Sequence, residues 1–181
     1  ALVTEASKVS FAAANTLVDV TSAVNASQGQ AIAGTNNVAA GFSGGVSDSV
    51  SNLYDNNNTA ISTNFTSIKN ADSDVVVTIS DAAFANTEAS TAATKLSAIG
   101  NATSGAVTVS NAVKITGTQA QVTDALVTEA SKVTASSALV TIGDAAFANT
   151  ESTIAASDLK NIGNATSGAV TVDSLVKVTG N

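Results

Sequence analysis

The strongest constraint on the fold is that long stretches of the chain occur twice with almost no change. Three pairs share one offset, 63 in residue number: Asp81–Glu88 with Asp144–Glu151, Ile99–Val109 with Ile162–Val172, and Val113–Gly117 with Val176–Gly180. A further stretch, Ala1–Val9, recurs without change at Ala125–Val133. Such self-similarity indicates one structural unit used more than once, which is typical of repeat architectures.

Short segments with alternating β-branched residues predict strands inside the repeated stretches. The central residues of the four clearest segments are Thr78, Thr108, Thr141 and Thr171, which follow one another at nearly even spacing. A weaker fifth segment is Leu17–Thr21. Alternation over several positions predicts half-buried strands, with each threonine facing away from its flanking Val and Ile.

Between the strands, apolar residues at steps of three and four predict helices. These segments run over residues 89–99, 122–133 and 154–162. Gly100 and Gly163 follow the last apolar position of two of them and predict left-handed C-caps. The Ala-Thr-Ser-Gly segments that follow are expected to be loops.

Strands alternating with helices at about 31 residues per step predict an α/β fold with parallel strands and right-handed crossovers. Even steps favour a right-handed repeat solenoid over a doubly wound sheet. The alternative is a β-rich solenoid or sandwich in which some Ala/Ser/Thr-rich segments are loops. The expected organisation is a repeat-like segment over 1–24, a non-repeat insert over 25–72 and a βα repeat array over 73–181.

The insert has a composition of its own. Five of the 12 glycines lie between Gly29 and Gly45, and apolar residues then recur at steps of three and four from Val46 to Ile68. We therefore expect a Gly-rich loop and one amphipathic helix over 46–69 that packs on the body of the chain. The alternative is a self-association helix, because a buried Asn can fix the register of such a helix. The only Tyr and two of the five Phe lie here, so the insert is the expected contact surface.

Composition excludes several classes of function. The chain has no Cys, His or Arg, so thiol nucleophiles, imidazole bases and guanidinium clamps are absent. The net charge of −7 argues against binding to nucleic acid, and no apolar run is long enough for membrane insertion. The 14 acidic residues mostly recur with the repeats, which indicates structural roles. We therefore expect no catalytic residues and no enzyme activity.

One metal candidate follows from the predicted strands. Asp81, Asn111, Asp144 and Ser174 each come just past a strand and are expected to form a column. Carboxylate and amide oxygens are ligands that calcium prefers, so Asp81 and Asp144 are candidate calcium ligands. The alternative is that these residues make turns or cap helices. No other cofactor is expected.

The four strand threonines form a second expected column. An outward threonine ladder resembles the surface of ice-binding solenoids, but these usually carry a Thr-x-Thr pattern, which does not recur here. The favoured interpretation is ordinary cross-strand pairing of threonines.

Segments such as Val76–Ala82 and Ile99–Val109 resemble the Ala/Val/Thr/Asn-rich repeats of large secreted bacterial surface proteins. That group includes hemolysin-type adhesins, S-layer proteins and extracellular filament proteins. The resemblance implies an extracellular or cell-surface location and a structural or adhesive role. The calcium-binding nonapeptides often found in that group are absent from this chain.

The expected function is that of a non-enzymatic structural protein of an extracellular filament, surface layer or adhesive stalk. It would act by repeat stacking and self-assembly, so its main partners are copies of itself. The alternative is an adhesin or fibre module that binds a carbohydrate or a receptor, with glycans as partners.

Overall fold

The computed structural model describes residues 16–57, 59–85, 90–130, 133–146 and 153–180. Within these ranges the chain is mixed α/β, with several parallel sheets and six helices. The helices are α1 Ala26–Ala33, α2 Val50–Leu53, α3 Thr63–Ala71, α4 Ala93–Gly100, α5 Gln119–Leu126 and α6 Ala156–Ala165. The strands are β1 Thr16–Asp19, β2 Val38–Gly41, β3 Val46–Asp48, β4 Tyr54–Asp55, β5 Ala60–Ile61, β6 Val77–Ile79, β7 Thr91–Ala92, β8 Val107–Val109, β9 Lys114–Gly117, β10 Val133–Thr134, β11 Leu139–Ile142, β12 Ile154–Ala155, β13 Val170–Val172 and β14 Val178–Thr179.

The chain divides into two compact units. The first contains the described residues up to Ser80 together with Ala102–Val107, and the second contains Asp81–Asn101 and the described residues from Thr108 onward. No helix in the described ranges has the length and apolar character needed to cross a bilayer.

In the first unit, parallel strand pairs lie beside two packed helices. Strand β1 pairs with β2, and β3 pairs with β6. Helices α1 and α3 pack closely at Gly29, where an added Cβ would stand 2.5 Å from Ile68 Cδ1. A side chain at Gly29 would therefore push the two helices apart. Phe42, Leu53 and Phe65 fill the core and are at most 2% exposed.

The single helix expected over 46–69 is wrong. This stretch instead contains β3, the short α2, an antiparallel pair of β4 with β5, and α3. The Asp55 carboxylate accepts the Asn57 N–H at 2.9 Å, which closes a turn, and Ser62 starts a new helix by accepting the Phe65 N–H at 3.2 Å. Such local side-chain bonds compete with a continuous helix.

The periodic apolar residues of the insert nevertheless face the interior. Val46, Leu53, Phe65 and Ile68 are all at most 1% exposed. These side chains therefore form part of the core of the first unit, although they do not lie on one helix.

In the second unit, four parallel strands form a sheet in the order β7-β9-β11-β13, and β12 pairs with β14 in parallel. Helix α5 packs against both α4 and α6. The core is made by one or two branched side chains from each element. These are Leu96, Ile99, Ile115, Leu126, Ile142 and Ile162, each at most 2% exposed.

Two strand pairs are equivalent in the two copies of the repeated sequence. Thr91 of β7 pairs with Ile115 of β9, and at the equivalent positions of the second copy Ile154 of β12 pairs with Val178 of β14. Both β7 and β12 lead directly into a helix. The repeated sequences therefore form the same local pairing twice.

The steps between paired strands are uneven. Val46 pairs with Val77 and Val140 pairs with Val170, and both steps are close to the length expected from the sequence. Lys114, however, pairs with Leu139, which is a distinctly shorter step. The segment between β9 and β11 contains α5 and β10. Strand β10 belongs to a different sheet, and β11 is the sheet neighbour of β9.

The expected glycine C-caps are also wrong. Gly100 is the last residue of α4 and Gly163 lies inside α6. Among the described glycines only Gly45 and Gly180 have positive φ angles. The C-cap of α4 is Asn101, which keeps a right-handed φ of −69°.

Candidate functional site

The turn that follows α4 attaches to an earlier part of the chain through a buried hydroxyl. Thr103 is 8% exposed, and its Oγ1 donates to the Val75 carbonyl at 2.8 Å. The same oxygen accepts the Gly105 N–H at 3.0 Å. One side chain therefore shapes the turn and also joins it to the segment 28 residues earlier.

The turn that follows α6 repeats this arrangement in the second copy of the repeated sequence. Thr166 Oγ1 donates to the Ala138 carbonyl at 2.7 Å and accepts the Gly168 N–H at 3.0 Å. The middle residue adds a backbone bond in each copy: Ser104 N–H to Ser73 O at 3.0 Å, and Ser167 N–H to Ser136 O at 2.7 Å. We call residues 103–105 and 166–168 the Thr-Ser-Gly turns.

The glycine of each turn is required by close backbone contact. A Cβ added at Gly105 would stand 2.1 Å from the Asp74 carbonyl oxygen, and one added at Gly168 would stand 2.1 Å from the Ala138 carbonyl oxygen. Only glycine lets the two backbones approach this closely. The sequence Thr-Ser-Gly is thus set by a contact between neighbouring segments of the chain.

Carboxylates make a second kind of joint. Asp48, which ends β3, accepts the Ala26 N–H of α1 at 2.9 Å through Oδ2. Asp144, just past β11, accepts the Gln119 N–H of α5 at 2.7 Å through Oδ2. Each acid satisfies a free N–H at the start of a helix that lies 22 or 25 residues earlier, where negative charge is favourable.

The four residues expected beyond the strands do not form one row. Asp81 follows β6 and Asp144 follows β11, and these strands belong to different sheets. Asn111 does reach Asp81, since its Nδ2 donates to the Asp81 carbonyl oxygen at 2.7 Å. Ser174 follows β13, the sheet neighbour of β11.

Asp144 caps a helix, because its carboxylate accepts the Gln119 N–H at the start of α5. Helix capping was the alternative to calcium binding for this residue. The described ranges contain no group of three or more acidic side chains that could hold a metal ion. Calcium binding at Asp81 and Asp144 stays a prediction.

The expected column of four threonines is divided between sheets. Thr116, Thr141 and Thr171 are direct neighbours on β9, β11 and β13. Thr78 instead pairs with Ser47 of β3. The outward orientation is confirmed for Thr108, which is exposed between buried Val107 and Val109.

The insert carries a polar cleft of about 430 Å³ in the first unit. Its lining is mostly amide, hydroxyl and carboxylate side chains, with one aromatic residue. The lining residues are Ser51, Asn52, Tyr54, Asp55, Asn56, Asn57, Ser62, Thr63 and Asn64.

Sequence reasoning treated the Thr-Ser-Gly turns as plain loops and did not identify their role. The available signal was that Ile99–Val109 recurs without change, since ordinary surface loops vary more than the elements they connect.

Comparison of the chain with protein-family models, curated proteins and solved structures found no match.

Proposed function

We propose that this chain is a non-enzymatic structural protein of an extracellular filament, surface layer or adhesive stalk. It acts by stacking strand–helix steps into a right-handed repeat solenoid and by self-assembly. The observation that carries the proposal is the pair of Thr-Ser-Gly turns, which fix each later segment to the backbone of an earlier one.

The chemistry of the repeated residues supports a structural role. Thr103 and Thr166, which recur in the repeated stretch, are used for joints inside the chain, and Asp144 is used for a helix cap. Residues that recur in the sequence and are engaged in such bonds serve stacking, whereas a catalytic pair is normally present once. The extracellular location rests on the resemblance to secreted surface repeats.

Electron microscopy of the purified chain tests this function. We expect regular fibres or sheets at high protein concentration. A monodisperse monomer at the same concentration, with folding verified by circular dichroism, would contradict the proposal.

A second candidate function is carbohydrate binding, which the polar cleft of the insert favours. Amide, hydroxyl and carboxylate side chains grouped in one cleft offer the hydrogen bonds that sugars use. A glycan array should then show binding that is lost in the double variant N52A/N56A. The exposed Asn70, which lies outside the cleft, supplies the control N70A. Equal signals from both variants would rule the cleft out.

A further inference from the structure

We propose that the turn at residues 42–44 is a third stacking joint of the same kind as the Thr-Ser-Gly turns, and that Asp19 and Asp72 position it. The inference rests on the repeat stacking proposed above and adds residues 20–48 to it as one more step. Most of these residues lie in the stretch 25–72, for which the sequence predicts a non-repeat insert. We call residues 42–44, with the sequence Phe-Ser-Gly, the Phe-Ser-Gly turn.

The Phe-Ser-Gly turn has the same position relative to a strand as the two Thr-Ser-Gly turns. In all three, Ser-Gly is followed after one small residue by the first valine of a strand: Val46 of β3, Val107 of β8 and Val170 of β13. A Cβ added at Gly44 would stand only 2.5 Å from the Ser22 backbone nitrogen. This glycine, like those of the Thr-Ser-Gly turns, is therefore required by close contact with the backbone of an earlier segment.

The residue after each turn glycine accepts a backbone N–H from a buried valine of an earlier segment. The three bonds are Val24 N–H to Gly45 O at 3.1 Å, Val77 N–H to Ala106 O at 2.9 Å, and Val140 N–H to Ala169 O at 2.9 Å. Val24 also forms a parallel bridge with Val46, as Val140 pairs with Val170 in the second unit. The Phe-Ser-Gly turn therefore joins the same two strand positions as its counterpart in the second unit.

Phenylalanine has no hydroxyl, and two carboxylates hold the Phe-Ser-Gly turn instead. Asp72 Oδ2 accepts the Phe42 N–H at 2.7 Å. Asp19 accepts the Ser43 N–H at 3.2 Å through Oδ1 and the Ser43 hydroxyl at 2.8 Å through Oδ2. One acid lies 24 residues before its partner and the other 30 residues after, so the turn is bonded to the segments on both sides of it.

The missing hydroxyl also explains the glycine at position 45. In the Thr-Ser-Gly turns the threonine Oγ1 accepts an N–H inside the turn, and alanine follows the glycine. In the Phe-Ser-Gly turn the Gly45 N–H donates to the Phe42 carbonyl at 2.8 Å, and Gly45 has a φ of 76°. A Cβ added there would stand 2.8 Å from the Val76 carbonyl oxygen. Phenylalanine at the first position and glycine at the fourth therefore belong together.

In the first unit these bonds link successive segments in chain order. Asp72, which holds the Phe-Ser-Gly turn, is followed directly by Ser73, whose carbonyl accepts the Ser104 N–H at 3.0 Å. Asp19 binds the same turn from the earlier side. One line of joints therefore runs from Asp19 through the Phe-Ser-Gly turn and Asp72–Ser73 to the first Thr-Ser-Gly turn, which is what a stacked step requires.

Amide hydrogen exchange of the full chain, measured by NMR at a concentration where it is monomeric, tests the joint without any substitution. Val24 and Gly44 donate their N–H groups to backbone carbonyls across the joint. Their protection factors should lie within about tenfold of those of Val77 and Ser104, because segments that open together share one opening free energy. A larger gap would overturn the joint.

Substitution of Asp72 tests its positioning role in the same measurement. D72A removes the acceptor of the Phe42 N–H and should lower the protection of Val24 and Gly44 by roughly tenfold or more. D72N keeps an oxygen that can accept this bond and should stay close to wild type. D74A is the matched control, because Asp74 is an exposed acid two positions away. Equal protection in D72A and D74A would overturn the role of Asp72.

Exchanging the small residues after the turn glycines tests the geometry of the joint. G45A should lower the midpoint of urea denaturation, because the new methyl group meets the Val76 carbonyl oxygen and the positive φ favours glycine. A106G, at the equivalent position of a Thr-Ser-Gly turn, should lower the midpoint less, and the reverse order would contradict the geometry. A chain that passes these tests but never assembles would support the joint and contradict the proposed function.

Discussion

Thr103 and Thr166 show how small side chains hold this protein together at the scale of single residues. Each of these buried threonines accepts a hydrogen bond inside its turn and donates one to a carbonyl 28 residues earlier. At Gly105 and Gly168 of the same turns, even an added Cβ would clash with a backbone carbonyl. The low share of aromatic residues, 3% of the chain, is consistent with joints of this kind.

Replacement of Thr166 by Val should lower the free energy of unfolding by about 1–3 kcal/mol. Val keeps the shape but leaves the Ala138 carbonyl and the Gly168 N–H without their partner. Urea denaturation measures the loss. T166S, which keeps the hydroxyl, should lose less, and T171V, at an exposed strand position, should change stability by less than about 0.5 kcal/mol. A T166V loss no larger than that of T171V would refute the role of the hydroxyl.

Replacement of Gly168 by Ala should destabilise the chain by several kcal/mol or prevent folding, because the new methyl group meets the Ala138 carbonyl oxygen. Gly163 offers the opposite case, since it lies inside α6 and an added Cβ meets nothing within 4 Å. G163A should stabilise by about 0.5–1 kcal/mol, because Ala loses less backbone entropy in a helix. Thermal melts of the two variants should therefore shift in opposite directions, and shifts of the same sign would contradict the contact.

At the scale of elements, helix starts are set by side chains near and far in sequence. Thr118 and Gln121 form a capping box at the start of α5, and Asn25 and Gln28 form another at the start of α1. A carboxylate from a later strand end then accepts a further N–H of each of these helices. The acid and the helix start therefore stabilise each other across neighbouring segments.

Replacement of Asp144 by Ala should cost about 0.5–2 kcal/mol, because the Gln119 N–H loses its partner. D144N keeps an oxygen that can accept this bond and should lose only the charge contribution, about 0.3–1 kcal/mol. Chemical denaturation at low and high salt separates the two contributions, since salt screens the charge. D173N, at an exposed position, is the control, and a D144A loss equal to that of D173N would refute the cap.

At the scale of the whole molecule, two compact units each contain parallel strand pairs with helices packed beside them. Among the described residues, four large apolar side chains stay exposed: Leu17, Val76, Leu175 and Val178. Contacts between copies would cover this surface, so stability and assembly should be linked.

The melting temperature should therefore rise with protein concentration, because association stabilises the folded state by mass action. Calorimetry over a hundredfold concentration range measures this rise. A concentration-independent wild type would contradict the linkage.

Much of the element order could be predicted from the sequence, because alternation and three-to-four spacing report burial directly. The strands around Thr78, Thr108, Thr141 and Thr171 are present, and α4, α5 and α6 lie within or beside the predicted stretches. The prediction of one helix over 46–69 is wrong because Asp55 and Ser62 form local hydrogen bonds with the backbone, which the spacing of apolar residues does not reveal. The predicted column containing Asp81 and Asp144 is wrong because the strand before Asp81, β6, and the strand before Asp144, β11, belong to different sheets.

The sequence by itself determined which pieces repeat and which residues face inward, since both depend on local pattern. Only the tertiary structure decided that β11 lies beside β9, that Thr166 reaches Ala138 and that Asp144 caps α5. These contacts join residues that are far apart along the chain, and their geometry depends on how much chain the intervening helix takes up. The repeat is therefore a property of the sequence, whereas the joints between its copies are a property of the fold.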